Sequence, residues 1–123
     1  MTDIDWANPA EAALALGRVV NTWRSHLERA ASSRERAAGL RKKGSRPPAG
    51  VSEEDWRGFP ALLDAQAAEW DAAAAEDASE FHEAAAQAVA GGRLTRRQGS
   101  QLAAVASLED AATAVAALKR DLF

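Results

Sequence analysis

The 123-residue sequence contains no cysteine and no tyrosine, and these absences exclude several kinds of chemistry. Without cysteine there is no disulfide framework, no thiolate metal site, no cysteine nucleophile and no CxxC redox pair. No stretch approaches the roughly 18 consecutive apolar residues that a membrane-spanning helix needs. The acidic N-terminus lacks the basic region and apolar run of a signal peptide. We therefore expect a cytoplasmic protein that does not engage a membrane.

Large apolar residues are also scarce. Leucine, isoleucine, valine and phenylalanine together occupy 21 positions, which is below the level of roughly one fifth at which disorder becomes plausible. Alanine is abundant instead, at 32 positions, and the formal net charge is only -3. Because the alanines recur with helical spacing, they favour long thin helices with alanine-rich seams over disorder. The length is that of a single domain spanning residues 1–123.

The first predicted helix begins at a clear start signal. Asn8 and Pro9 have the residue types that suit an N-cap and a first helical position. An apolar stripe with heptad-like spacing follows and predicts a helix over about 9–43. The segment 44–51 contains two prolines between glycines and predicts a loop.

Two further helices are predicted downstream. Ser52 begins an acidic segment typical of a first helical turn, but Gly58-Phe59-Pro60 predicts a break before a main helix over about 60–90. Thr95 and the glutamine three residues later form a capping-box pattern, which predicts a third helix over about 95–122. No segment alternates apolar and polar residues for long enough to indicate a strand.

These elements predict an all-α fold. Short connections favour antiparallel neighbours, so we expect an elongated antiparallel bundle of three long helices, a helical hairpin plus a C-terminal helix. A bundle with alanine-rich seams buries little apolar surface per residue. Pairing with a second copy or with another protein would therefore add stability.

Charge is unevenly distributed along the chain. Residues 29–46 carry seven bases and one acid, whereas residues 52–83 carry ten acids and one base. One interpretation is a basic patch for nucleic acid and an acidic face for a basic partner. The other is internal pairing, because a hairpin places the end of the first helix beside the start of the second. The basic-patch candidates are Arg34, Arg36, Arg41, Lys42, Lys43 and Arg46.

A second basic cluster lies at the predicted start of the third helix, where positive side chains oppose the helix dipole. It consists of Arg93, Arg96 and Arg97. Together with free helix amides these side chains could bind a phosphate or carboxylate. Acids at the same end of the bundle could instead neutralise them: Asp3, Asp5 and Glu11.

The sequence offers little for catalysis. His26 and His82 lie on different predicted helices, and neither has a histidine or carboxylate at i+4. No serine occurs in a GxSxG context, and no glycine-rich phosphate loop follows a strand. We therefore predict a protein that is not an enzyme and binds no metal or cofactor.

The four tryptophans suggest two roles. Trp23 and Trp70 lie on apolar stripes and are predicted to be core residues. Trp6 and Trp56 lie near predicted bundle ends in acidic surroundings, where each could cover the core or anchor a partner, since tryptophan is enriched at interfaces.

The functional hypothesis is a non-catalytic helical protein that acts through protein–protein association. Size and composition would suit a component of a phage particle or of its assembly machinery. One alternative is a small nucleic-acid-binding or regulatory protein that uses the basic segment 29–46. Another is an acidic inhibitor that mimics nucleic acid.

Overall fold

A computed structural model describes residues 4–42 and 46–123. The described residues form an all-α structure of four helices, which are α1 (Pro9–Arg41), α2 (Glu53–Ala90), α3 (Arg96–Ala103) and α4 (Leu108–Leu122). None of these helices combines the length and apolar character required to cross a bilayer.

The predicted helix-start signals at Asn8, Ser52 and Thr95 are confirmed by local hydrogen bonds. The Asn8 side-chain oxygen accepts from the backbone amides of Ala10 and Glu11, 3.1 and 3.4 Å away. Ser52 Oγ accepts from the Asp55 amide at 3.1 Å. Thr95 forms both bonds of a capping box with Gln98. These bonds satisfy amides that lack an intrahelical partner, so each start is fixed by residues within one turn.

The predicted break at Gly58-Phe59-Pro60 is wrong. Helix α2 begins at Glu53 and continues through Pro60, although proline cannot donate to the carbonyl of Trp56. Pro60 and Leu63 are both buried. Burial of these side chains favours the continuous helix, which is therefore longer than the local sequence indicates.

The single third helix predicted over 95–122 is also wrong, because the structure has two helices there. Helix α3 ends at Ala103, and Ser107 caps a new helix by accepting from the Asp110 amide at 3.1 Å. The Asp110 carboxylate accepts in turn from the Ala106 amide at 3.1 Å. Val105, between the two helices, is buried.

The chain divides into two compact units, and α1 and α2 contribute residues to both. We call residues 4–24 with 75–123 the terminal unit, and the described part of 25–74 the hairpin unit. A single domain for the whole chain stays a prediction.

The terminal unit holds the large buried side chains. Trp23 of α1 lies 6.3 Å from Phe81 of α2, measured between ring centroids. The largest fully buried side chains of the described residues all belong to this unit: Phe81, Leu16, Leu102 and Leu118.

The hairpin unit has a smaller core. Its buried apolar residues are mainly alanines, namely Ala30, Ala37, Ala67 and Ala74, together with Pro60 and Leu63. The helices run antiparallel here, since Arg34 contacts Asp71 while Arg41, further along α1, contacts the earlier Asp64. Most of the buried apolar residues of this unit are thus small, and the alanine-rich seam between the helices stays a prediction.

Candidate partner-binding surface

The most exposed apolar surface of the hairpin unit lies at the start of α2. Trp56 and Phe59 are one turn apart, and their rings stack nearly parallel, with centroids 5.6 Å apart and planes 8° apart. Leu62 follows after another three residues and is 66% exposed. Because the spacing of three keeps these residues on neighbouring parts of one helix face, they form a continuous apolar strip.

The loop before α2 completes a groove beside this strip. The Val51 amide donates to the Pro48 carbonyl at 3.1 Å, which closes a turn. The resulting space, which we call the Trp56 groove, has a volume of about 540 Å³. It is lined by Pro48, Val51, Glu54, Asp55, Trp56, Gly58, Phe59 and Leu62.

The charges that line the Trp56 groove have one sign. Among the described residues, Glu54 and Asp55 are the only ionisable residues that line it. Glu53 precedes them in the sequence and forms an ion pair with Arg57. The Arg57 Nη2 and Glu53 Oε2 atoms are 3.9 Å apart. All three acids are exposed, and within residues 4–42 and 46–123 neither Glu54 nor Asp55 forms an ion pair. The groove therefore combines an apolar floor with a negative rim.

Trp6 lies in a different setting, in the terminal unit. It is half-buried, and its backbone carbonyl would lie 2.4 Å from a Cβ added at Gly91. Only glycine permits this approach, so the segment before α1 packs directly on the end of α2. This contact favours the covering role for Trp6, although its ring also borders a groove of about 400 Å³ that includes Arg18, Glu80 and Glu83.

The predicted arginine cluster at α3 is exposed. Arg93 precedes the Thr95 cap, and Arg96 and Arg97 are in the first turn of α3. None of the three forms an ion pair with Asp5 or Glu11, the two described acids that were expected to neutralise them. Asp3 lies outside the described residues. The cluster is thus accessible, but among the described residues nothing else converges on it.

The residues of the predicted basic patch differ in their contacts, because some are in ion pairs and others are not. Arg34 forms an ion pair with Asp71, and Arg41 Nη2 lies 2.6 Å from Asp64 Oδ2. Arg36, Lys42 and Arg46 are exposed, and none of them forms an ion pair with a described residue. Lys43 lies outside the described residues.

The Arg34–Asp71 ion pair shifts the pKa of both side chains. The hydrogen bond from Arg34 lowers the pKa of the Asp71 carboxyl below its ordinary value of 3.8. The same bond raises the pKa of the Arg34 guanidinium. Both side chains are about half exposed, so solvent screens the pair and it contributes little to stability.

Trp70, predicted as a core residue, is only half-buried. The His26 ring stacks on it at 5.4 Å between centroids, and the Arg29 guanidinium carbon lies 4.8 Å from the ring centre. The tryptophan is therefore covered by polar side chains of α1 in a cation–π arrangement. Trp23, the other predicted core tryptophan, is buried as expected.

Sequence reasoning identified Trp56 but missed Leu62, Phe59 and Val51 as members of the same surface. The false break at residues 58–60 concealed their relation, because it placed Trp56 and Leu62 in different elements. A helix start at Glu53 makes the spacing 56, 59, 62 visible in the sequence.

Among the described residues there is no group of three histidine, aspartate or glutamate side chains that could hold a metal ion. Comparisons with protein families, with curated proteins and with solved structures found no match to this chain.

Proposed function

We propose that the chain is a non-catalytic helical interaction protein that associates with another protein chain through the Trp56 groove. The observation that carries this proposal is the stacked Trp56–Phe59 pair beside a leucine, Leu62, that is 66% exposed. Aromatic anchors inside an apolar centre with a polar rim are typical of protein interfaces. Membership of a phage particle or its assembly machinery is the narrower form of the proposal and rests on size and composition alone.

The ion pairs of the hairpin unit support association over nucleic-acid binding. Two of the six basic-patch candidates, Arg34 and Arg41, already contact carboxylates. The same contacts occupy Asp64 and Asp71, which an acidic mimic of nucleic acid would need to present to its target. The charge segregation in the sequence is thus partly used inside the fold.

Site-specific photo-crosslinking tests the proposal directly. A benzophenone amino acid replaces Leu62 in the full chain, expressed in cells of the source organism, and adducts are read by mass spectrometry. The matched control places the same probe at Leu14, an exposed leucine of the terminal unit. We expect a discrete protein adduct at position 62 and none at position 14. No adduct at position 62, or equal adducts at both positions, would overturn the proposal.

A further inference from the structure

The proposed function does not specify the chemistry of the partner. The charges that line the Trp56 groove indicate which class of partner it would bind. Its described side chains include two carboxylates, Glu54 and Asp55, and no basic group. Acids in a first helical turn stabilise the helix, as they do elsewhere. Here they also border an apolar strip, so any occupant of the strip must lie against negative charge.

The negative charge beside the Trp56 groove favours a positively charged occupant. A second copy docked through the same groove would place two surfaces that each carry Glu54 and Asp55 against one another, and it would bring no basic lining residue to pair with them. An anionic ligand, whether a nucleic acid or an acidic lipid surface, would meet the same repulsion. A lysine- or arginine-bearing partner gains attraction at the rim without losing apolar contact at the floor.

The shape of the strip indicates the form of the partner. Residues 56, 59 and 62 lie along one helix face, and six residues at 1.5 Å each span about 9 Å. That length is close to the roughly 10.5 Å between positions i and i+7 of a helix, which are two of the apolar anchors used when an amphipathic helix binds in a groove. Resting on the proposed function, we infer that the Trp56 groove binds a basic amphipathic helix of a partner protein.

Designed peptides test the inference with the full chain. The probe is a fluorescein-labelled 16-residue peptide with leucines at i, i+3, i+4 and i+7 and lysines on the opposite face. One comparison peptide replaces lysine with glutamate, and a second scrambles the lysine–leucine order to remove the apolar face. Binding is measured by fluorescence anisotropy at low and at physiological salt. The lysine peptide is expected to bind at least about tenfold more tightly than either comparison peptide.

Variants locate the binding on the groove. Leu62→Ser should weaken binding of the lysine peptide about tenfold or more, whereas Leu14→Ser should change it less than about twofold. Glu54→Gln/Asp55→Asn should weaken binding about threefold or more and reduce its salt dependence. Glu69→Gln/Glu76→Gln removes the same charge from exposed positions further along α2 and should have little effect. Circular dichroism of each variant confirms that the helices are intact.

Three outcomes would overturn the inference. They are equal binding of the glutamate peptide, equal binding of the scrambled peptide, and unchanged binding to Leu62→Ser. Sedimentation equilibrium that reveals a dimer dissociated by Leu62→Ser would also overturn it, because a second copy would then occupy the groove. In that case the position-62 cross-link would still form and the proposed function would stand. Absence of that cross-link defeats the proposed function itself.

Discussion

The terminal unit and the hairpin unit bury different side chains in their cores. The terminal unit buries Phe81, Leu16, Leu102 and Leu118 completely. The hairpin unit buries mainly alanine together with Pro60 and Leu63, and four of its other large side chains are partly or largely exposed: Trp56, Phe59, Trp70 and Leu62. Because buried apolar area is the main source of stability, the terminal unit draws more of its stability from large buried side chains, although it also exposes Leu14 and Phe123.

This difference suggests a division of roles between the units. A well-filled core supports a single ordered structure, whereas exposed aromatic and leucine side chains mark interaction surfaces. Some basic and acidic side chains of the hairpin unit form ion pairs at its surface, such as Arg34 with Asp71 and Arg41 with Asp64, and screening by solvent makes these pairs weak. Three predictions test the contrast.

The largest effect is expected from truncating the core of the terminal unit. Phe81→Ala should lower the free energy of unfolding by about 3–5 kcal/mol, because it removes a fully buried ring and leaves a cavity. Leu63→Ala in the hairpin unit should cost about 2–3 kcal/mol, since a smaller side chain is lost. Urea denaturation followed by circular dichroism measures both. Leu62→Ala, at a largely exposed site, is the control and should stay within about 0.5 kcal/mol. A Leu63→Ala cost equal to that of Phe81→Ala would remove the contrast between the units.

An intermediate effect is expected at Gly91, where the terminal unit packs backbone on backbone. A Cβ there would lie 2.4 Å from the Trp6 carbonyl oxygen, so Gly91→Ala must displace the segment before α1 at a cost of about 1–3 kcal/mol. Gly58→Ala, within α2 of the hairpin unit, meets nothing within 4 Å and should stabilise by about 0.5–1 kcal/mol. Thermal unfolding measures the two changes in stability, which should have opposite signs. A neutral Gly91→Ala would contradict the close contact.

The smallest effect is expected from the surface ion pair of the hairpin unit. Arg34 lowers the pKa of Asp71, so the pair stabilises the fold above the ordinary pKa of 3.8 and loses this contribution as the pH falls through the lowered value. Arg34→Gln should raise the pKa of the Asp71 carboxyl towards 3.8, as measured by NMR titration of its carboxyl carbon. Arg36→Gln is the matched control and should leave the Asp71 titration unchanged. An Asp71 pKa that is the same in Arg34→Gln and in the unmodified chain would refute the pairing.

Several features of the fold were predictable because their causes are local. Asn8, Ser52 and Thr95 cap helices through bonds within three residues, and such patterns can be read directly from the sequence. The start of α4 had the same kind of signal, since Ser107 and Asp110 match the spacing of a helix start. The apolar stripe predicted over residues 95–122 continues across this signal and hides it in the sequence.

The candidate site was predictable only in part. Trp56 stands out in the sequence as a tryptophan in an acidic segment, but its neighbours in the groove depend on the helix passing through Pro60. Likewise, no local pattern indicates that Arg34 and Arg41 contact carboxylates while Arg36 does not. Such pairings depend on the register of two helices, which is set by packing along the whole seam.

The sequence by itself therefore determined the all-α class and the helix caps at Asn8, Ser52 and Thr95, because capping and helical periodicity act over a few residues. The tertiary structure decided the rest. It carried α2 through Pro60, ended α3 at Ala103, paired two of the basic residues and left Leu62 exposed. Each of these outcomes depends on which surfaces meet across the fold, and that is fixed by packing between segments distant in the chain.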